Sequence, residues 1–156
     1  MKKLFVLFVV VFTTCSMAMA QPRAIGVRLG LGGEASYQHS LGSNMLQADV
    51  GLFGWWGIEA AVTYNWLFPI GAGNWNWYAG VGGGAGFSWW GYGFFGAAGM
   101  LGIEYNFGIP LQLSLDYRPI IGPGFGGGGL LEGGSVFFNT MGLYAGSIAL
   151  GVRYRF

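Results

Sequence analysis

TMGLYAGSIALGVRYRF, residues 140–156, is the stretch whose reading decides the fold. Ile148, Leu150, Val152, Tyr154 and Phe156 fall on every second residue, with Ala149, Gly151, Arg153 and Arg155 between them. A period of two marks a β-strand, because successive side chains point to opposite faces. One face is apolar and the other is small or charged. A soluble sandwich would turn the apolar face inward and a membrane barrel would turn it outward. This stretch alone allows both.

The same alternation recurs upstream. Ile25, Val27, Leu29 and Leu31 predict a first strand, and Gly32-Gly33-Glu34 a short hairpin loop. Residues 35–41 predict a second strand, Gly42-Ser43-Asn44 a turn, and residues 46–52 a third strand. After Gly54–Gly57, with Trp55 and Trp56, a fourth strand spans 58–66; Pro69–Asn74 turns into a fifth, from Trp75 to about Trp89. A sixth runs from Phe94 to Phe107, and Gly108-Ile109-Pro110 leads into a seventh over 111–118. Pro119 and Pro123 then read as the fraying of that strand into a long loop, from Gly122 to about Asn139, before the terminal strand. Residues 25–41 also fit one long strand, because the parity carries through Gly33. Single-chain bacterial barrels take an even number of strands, so the expectation is eight.

The first twenty residues read differently. Lys2 and Lys3, the apolar run Leu4–Phe12 and Ala18-Met19-Ala20 have the order of a secretory signal peptide, with residues 21–156 as the exported domain. Cys15, the one cysteine, falls inside that leader, so thiol chemistry and disulfides are not expected in the domain. Both lysines also fall there, which leaves arginines alone against 6 acidic residues. A chain so poor in basic charge is no partner for nucleic acid. All 32 glycines come after the leader without a G-X-Y period, and the abundant aromatics argue against a disordered linker. Beyond the leader no apolar run is long enough for a spanning helix, which leaves a closed β-barrel as the way to cross a bilayer. The ten residues from Trp77 to Phe87 rise roughly 25 Å at about 40° tilt, the height of a barrel's apolar band. Tyr64, Trp66, Trp75, Tyr105, Phe107 and Tyr154 would form an aromatic girdle. The expected fold class is therefore all-β, a transmembrane antiparallel up-and-down barrel of eight strands.

Several stretches carry a family resemblance. WYAGVGGGAG (77–86), GIEYNFGIPLQLSLDYRP (102–119) and GVRYRF (151–156) resemble the small eight-stranded outer-membrane barrels of the OmpA/OmpX type, including barrel proteins of Bacteroidota. The apolar alternation back from a terminal aromatic is similar to the C-terminal strand by which such barrels are recognised for insertion. The resemblance implies export to the outer membrane, with Tyr154 and Phe156 as the assembly signal. It implies outer-membrane lipids, the β-barrel assembly machinery and periplasmic chaperones as partners. Such barrels include structural anchors, adhesins, narrow pores and a few enzymes, so the role is argued from the residues.

Those residues point away from catalysis. His39 is the one histidine; its parity faces lipid near the periplasmic rim, away from where barrel enzymes work. GFGGGG (124–129) lacks the Lys-Ser/Thr of a phosphate loop, and no acidic cluster has calcium-loop spacing. Neither cofactor nor metal is expected. A closed structural barrel is the favoured function; a narrow channel or transporter for small solutes is the alternative, and a rim enzyme acting on lipid is a third. The candidate site is the lumen. By parity Arg28, Arg118, Arg153 and Arg155 point inward, as do Asp49, Glu59, Glu104 and Asp116. An eight-stranded barrel has room inside only for side chains, so these charges must pair. Arg28 and Arg153 are expected to meet Asp49 and Glu104 in the periplasmic half, and Arg118 to meet Asp116 and Glu59 above them.

Overall fold

The protein is described from a computed structural model, over residues 23–126 and 137–156, with side chains over 24–126 and 148–156. Residues 1–22, which include the expected leader, and residues 127–136, which include the end of the GFGGGG run, lie outside the described residues.

Eight antiparallel strands close in sequence order into one barrel. They are β1 (Arg23–Leu29), β2 (Gly33–Leu41), β3 (Asn44–Phe53), β4 (Gly57–Pro69), β5 (Trp75–Ser88), β6 (Tyr92–Asn106), β7 (Leu111–Gly126) and β8 (Phe137–Arg155). The strands lengthen around the barrel, from 7 residues in β1 to 19 in β8. β1 starts and β8 ends at one rim, the near rim; the β1–β2, β3–β4 and β5–β6 hairpins turn at the far rim. Gly54 and Gly91 take left-handed φ of 58° and 83° in two far-rim turns, which suits residues without a Cβ.

The first hairpin is a hairpin, not one long strand, and it sits earlier than expected. Leu29 pairs with Gly33, so the loop is Gly30-Leu31-Gly32, and Glu34 belongs to β2. A slip of two residues keeps every side chain on its own face, so the alternation is the same for both placements. β7 also differs: it continues through Pro119 and Pro123 to Gly126, and β8 begins at Phe137. The register against β8 shifts between Arg118 and Ile120, and again between Gly122 and Gly124. Each proline thus sits at an irregularity, where a missing N–H breaks no regular ladder bond.

Apolar side chains coat the outside. Val50, Val62, Val81, Leu101 and Ile148 are all exposed, Ile148 at 68%. Near the lower rim the outward aromatics touch: Phe68 stacks on Trp77 at 4.3 Å, and Trp75, Tyr105 and Phe107 follow with centroids 4.8 Å apart. The interior is the polar side. Arg28, Arg118 and Arg153 are fully buried, as are Gln47 and Asn65. Two small apolar groups complete the lumen, Met45 with Tyr78 and Met100, and Ala61 with Phe94, Ala98 and Ile120. Glycines open space for them: a Cβ at Gly102 would strike the Tyr78 ring, and one at Gly86 the Phe94 ring.

Candidate functional site: the charged lumen

One row of cross-strand register partners organises the centre of the lumen. Gly151 pairs with Arg28, Arg28 with Glu34, Glu34 with Gly51, Gly51 with Glu59, and Glu59 with Gly86. Charged residues and glycines therefore share one row across β8, β1, β2, β3, β4 and β5. Gly51 leaves the space between Glu34 and Glu59 without a side chain; a Cβ there would run into the backbone of Gly33 and Glu34. Into that space reaches Arg118 from β7, on the opposite wall.

Arg118 is the hub. Its Nη1 donates to Asp49 Oδ2 at 2.8 Å, and its Nη2 to Glu59 Oε1 at 2.5 Å and Glu34 Oε1 at 3.1 Å. Nη1 also makes an ion-pair contact of 2.9 Å with Glu34 Oε2. Arg28 Nη1 donates to Glu34 Oε1 at 2.9 Å, and Arg28 Nε to Asp116 Oδ1 at 2.6 Å. Tyr78 donates its hydroxyl to the other oxygen of Asp116 at 3.1 Å. Asp49 collects further bonds from Ser36 Oγ and Gln47 Nε2. Among the described residues Arg153 reaches no carboxylate: Nε donates to Ser36 Oγ at 2.9 Å and Nη1 to Ser114 Oγ at 2.6 Å. Through Ser36 it joins the same network as Asp49. The cluster thus ties together β1, β2, β3, β4, β5, β7 and β8. A guanidinium suits this work because its fixed fork of donors can serve several carboxylates at once.

Glu104 is buried in a separate layer towards the near rim and has no cationic partner among the described residues. Asn76 and Asn106 donate to its Oε1 at 3.0 and 3.1 Å, and Gln112 donates to its Oε2 at 2.7 Å. This layer borders a cavity of about 340 Å³ lined by Gln38, Ser40, Asn76, Glu104 and Arg155, among others. Arg155 is only half-buried there.

The expected pairings are therefore partly redrawn. Arg118 does meet Glu59, but it meets Asp49 in place of Asp116. Asp116 belongs to Arg28 and Tyr78. Glu104 is held by amides, and neither it nor Asp49 pairs with Arg153. Arg155 stands at the rim outside the central cluster. Sequence reading missed Glu34, Ser36, Gln47, Tyr78 and Ser114 as members of the network. Their parity was the available signal: Tyr78 shares a face with Asn76, and Glu34 with Ser36. His39 is half-buried on the outward parity of β2, its ring stacked near Tyr37 at 6.5 Å, apart from the lumen network. Tyr154 and Phe156 are exposed on the outer face, their rings 6.4 Å apart.

Among the described residues no group of three or more His, Cys, Asp or Glu side chains is arranged to hold a metal ion. Chemically, the lumen can bind opposite walls together through its buried arginines. No family model matches the chain, and no curated protein matches it.

Proposed function

We propose that the chain is an integral barrel of a bacterial outer membrane, with a closed polar lumen and a structural role in the integrity of that membrane. One observation carries the reading: the burial pattern is inverted relative to a water-soluble core. Large apolar residues such as Val81, Leu101, Ile121 and Leu150 are each about half exposed on the wall, while three arginines inside have no exposure at all. Isolated exposed apolar residues are ordinary, but a continuous apolar coat costs heavily in water and is what a hydrocarbon layer requires. The aromatic contacts near one rim fit the interfacial belt of such proteins. Near and far rims then correspond to the periplasmic and outer sides. Lipids would surround the wall, and chaperones and the assembly machinery would deliver it, with Tyr154 and Phe156 as the recognised end.

The closed lumen is favoured over the channel by the same arginines, which close the middle with cross-barrel bonds. Separation of membranes from a producing cell tests the reading. The protein is expected in the outer-membrane fraction, and the variant lacking Phe156 in the periplasm or degraded. Soluble full-length protein without detergent would overturn the reading. Steady ion conductance of the purified barrel in planar bilayers would replace the plug by the channel.

A further inference from the structure

We propose that the central lumen cluster contains a proton-binding site, in which the facing carboxyls of Glu34 and Glu59 hold one proton between them at neutral pH. The inference concerns the interior and does not rest on the membrane reading.

Charge is the first argument. The connected cluster contains three guanidiniums, those of Arg28, Arg118 and Arg153. It contains four carboxyls, those of Glu34, Asp49, Glu59 and Asp116. Every one of these seven side chains is at most 6% exposed. Counted over the described residues and fully ionised, the cluster has one negative charge in excess, sealed where hydration cannot offset it. An isolated buried charge is costly enough that such a group neutralises instead. One proton taken from solvent converts one carboxylate to a carboxylic acid and brings the cluster to zero. Tyr78, on β5, contributes a phenol hydroxyl, and the one further acid among the described residues, Glu104 on β6, has its own amide donors.

Geometry then selects the pair. Asp49 accepts from Arg118, Ser36 and Gln47, and Asp116 from Arg28 and Tyr78, so each has donors on both oxygens. The oxygens of both are thus already supplied with donors. Glu59 accepts a single hydrogen bond, from Arg118 Nη2 to Oε1, and its buried Oε2 has no hydrogen-bond partner. Glu34 Oε2 is likewise without a hydrogen bond. Both Oε1 atoms accept from the same Arg118 nitrogen, and the residue between the two glutamates in their row is Gly51. Two carboxyls held by one Arg118 nitrogen, Glu59 Oε2 with no partner and Glu34 Oε2 with an ion-pair contact but no hydrogen bond, are completed by one shared proton. Carboxyl pairs that share a site cannot both ionise freely. A hard metal cation would need more oxygen ligands than this pair offers.

Infrared spectroscopy of the purified full chain in detergent at pH 7 tests the site. The expected spectrum contains one protonated-carboxyl carbonyl band, which shifts when glutamate is labelled with carbon-13. Glu59→Gln should abolish it, and so should Asp49→Asn, which balances the cluster from a distance. Glu104→Gln should leave it in place. No band in the wild type, with or without a bound sodium ion, overturns the proposal. So does a band that ignores the glutamate label or survives Glu59→Gln. The wild-type spectrum and its labelled counterpart decide the question even where a variant fails to fold.

Discussion

The lumen buries carboxylates in two ways, one layer apart. Around Arg118, three carboxyls are bound by one guanidinium that reaches across the barrel. Around Glu104, three amide groups supply dipoles and no compensating charge. The difference lies in where the donors come from. Arg118 joins β7 to β2, β3 and β4 on the far wall, whereas Glu104 takes its bonds from β5, β6 and β7, its own strand and the two beside it. The first arrangement braces the barrel across its width. The second solvates a charge locally, beside a cavity. Ion pairing in this protein is thus an architectural device, and amide solvation a local remedy.

The largest expected effect comes from removing the brace. Arg118→Met keeps much of the volume but leaves Glu34, Asp49 and Glu59 with lost partners, and should destabilise the barrel by about 3–5 kcal/mol in urea unfolding. A loss below 1 kcal/mol would mean that the cluster does not support the wall. The outer face supplies the next contrast. Val81 is 59% exposed on β5, so Val81→Arg should cost about 2–4 kcal/mol if its height is mid-bilayer, measured in lipid vesicles. The same change showing no cost in lipid would count against a bilayer around the wall.

Smaller effects belong to the amide layer. Glu104→Ala orphans the amide donors of Asn76, Asn106 and Gln112 and should cost about 1–3 kcal/mol, softened by water from the neighbouring cavity. Glu104→Gln removes only the charge and should cost less still, about 1 kcal/mol or under. A double-mutant cycle sharpens the comparison most directly. Coupling between Arg118 and Asp49 should exceed that between Gln112 and Glu104, since hydrogen bonds with charge on both partners are the stronger. Equal couplings would erase the distinction between the two layers.

Most of the fold was legible because alternation encodes faces directly. The inward parity of Arg28, Asp49, Glu59, Glu104, Asp116, Arg118 and Arg153 follows from the period of two alone. Depth was not legible. Which residues share a level depends on strand tilt and stagger, and these emerge only when the barrel closes. That is why Asp49 was expected beside Arg28 and stands beside Arg118. The missed role of Glu34 has the same source: with the first hairpin placed two residues late, Glu34 became a loop residue. Its face was right in either placement, so nothing in the alternation corrected the slip. Pro119 and Pro123 misled for another reason. A proline ends a regular strand, but a strand with irregularities at those positions passes through it.

The closure between the shortest strand and the longest has a mechanical consequence. β1 is joined to β8 only from Ala24↔Arg155 to Leu29↔Leu150, whereas β8 stays bonded to β7 up to Phe137. Among the described residues, the upper length of β8 thus has β7 on one side and no β1 beyond Leu29 on the other. This is the shortest seam in the wall, and it is the last that a chain folding from its hairpins can zip. Strain applied to the cylinder concentrates there, so the wall should part first along β1. Of the arginines that brace the middle, Arg28 stands on β1 itself and Arg153 on the β8 segment facing it. Their bonds to β2, β7 and one another's neighbours act as stitches across a short seam.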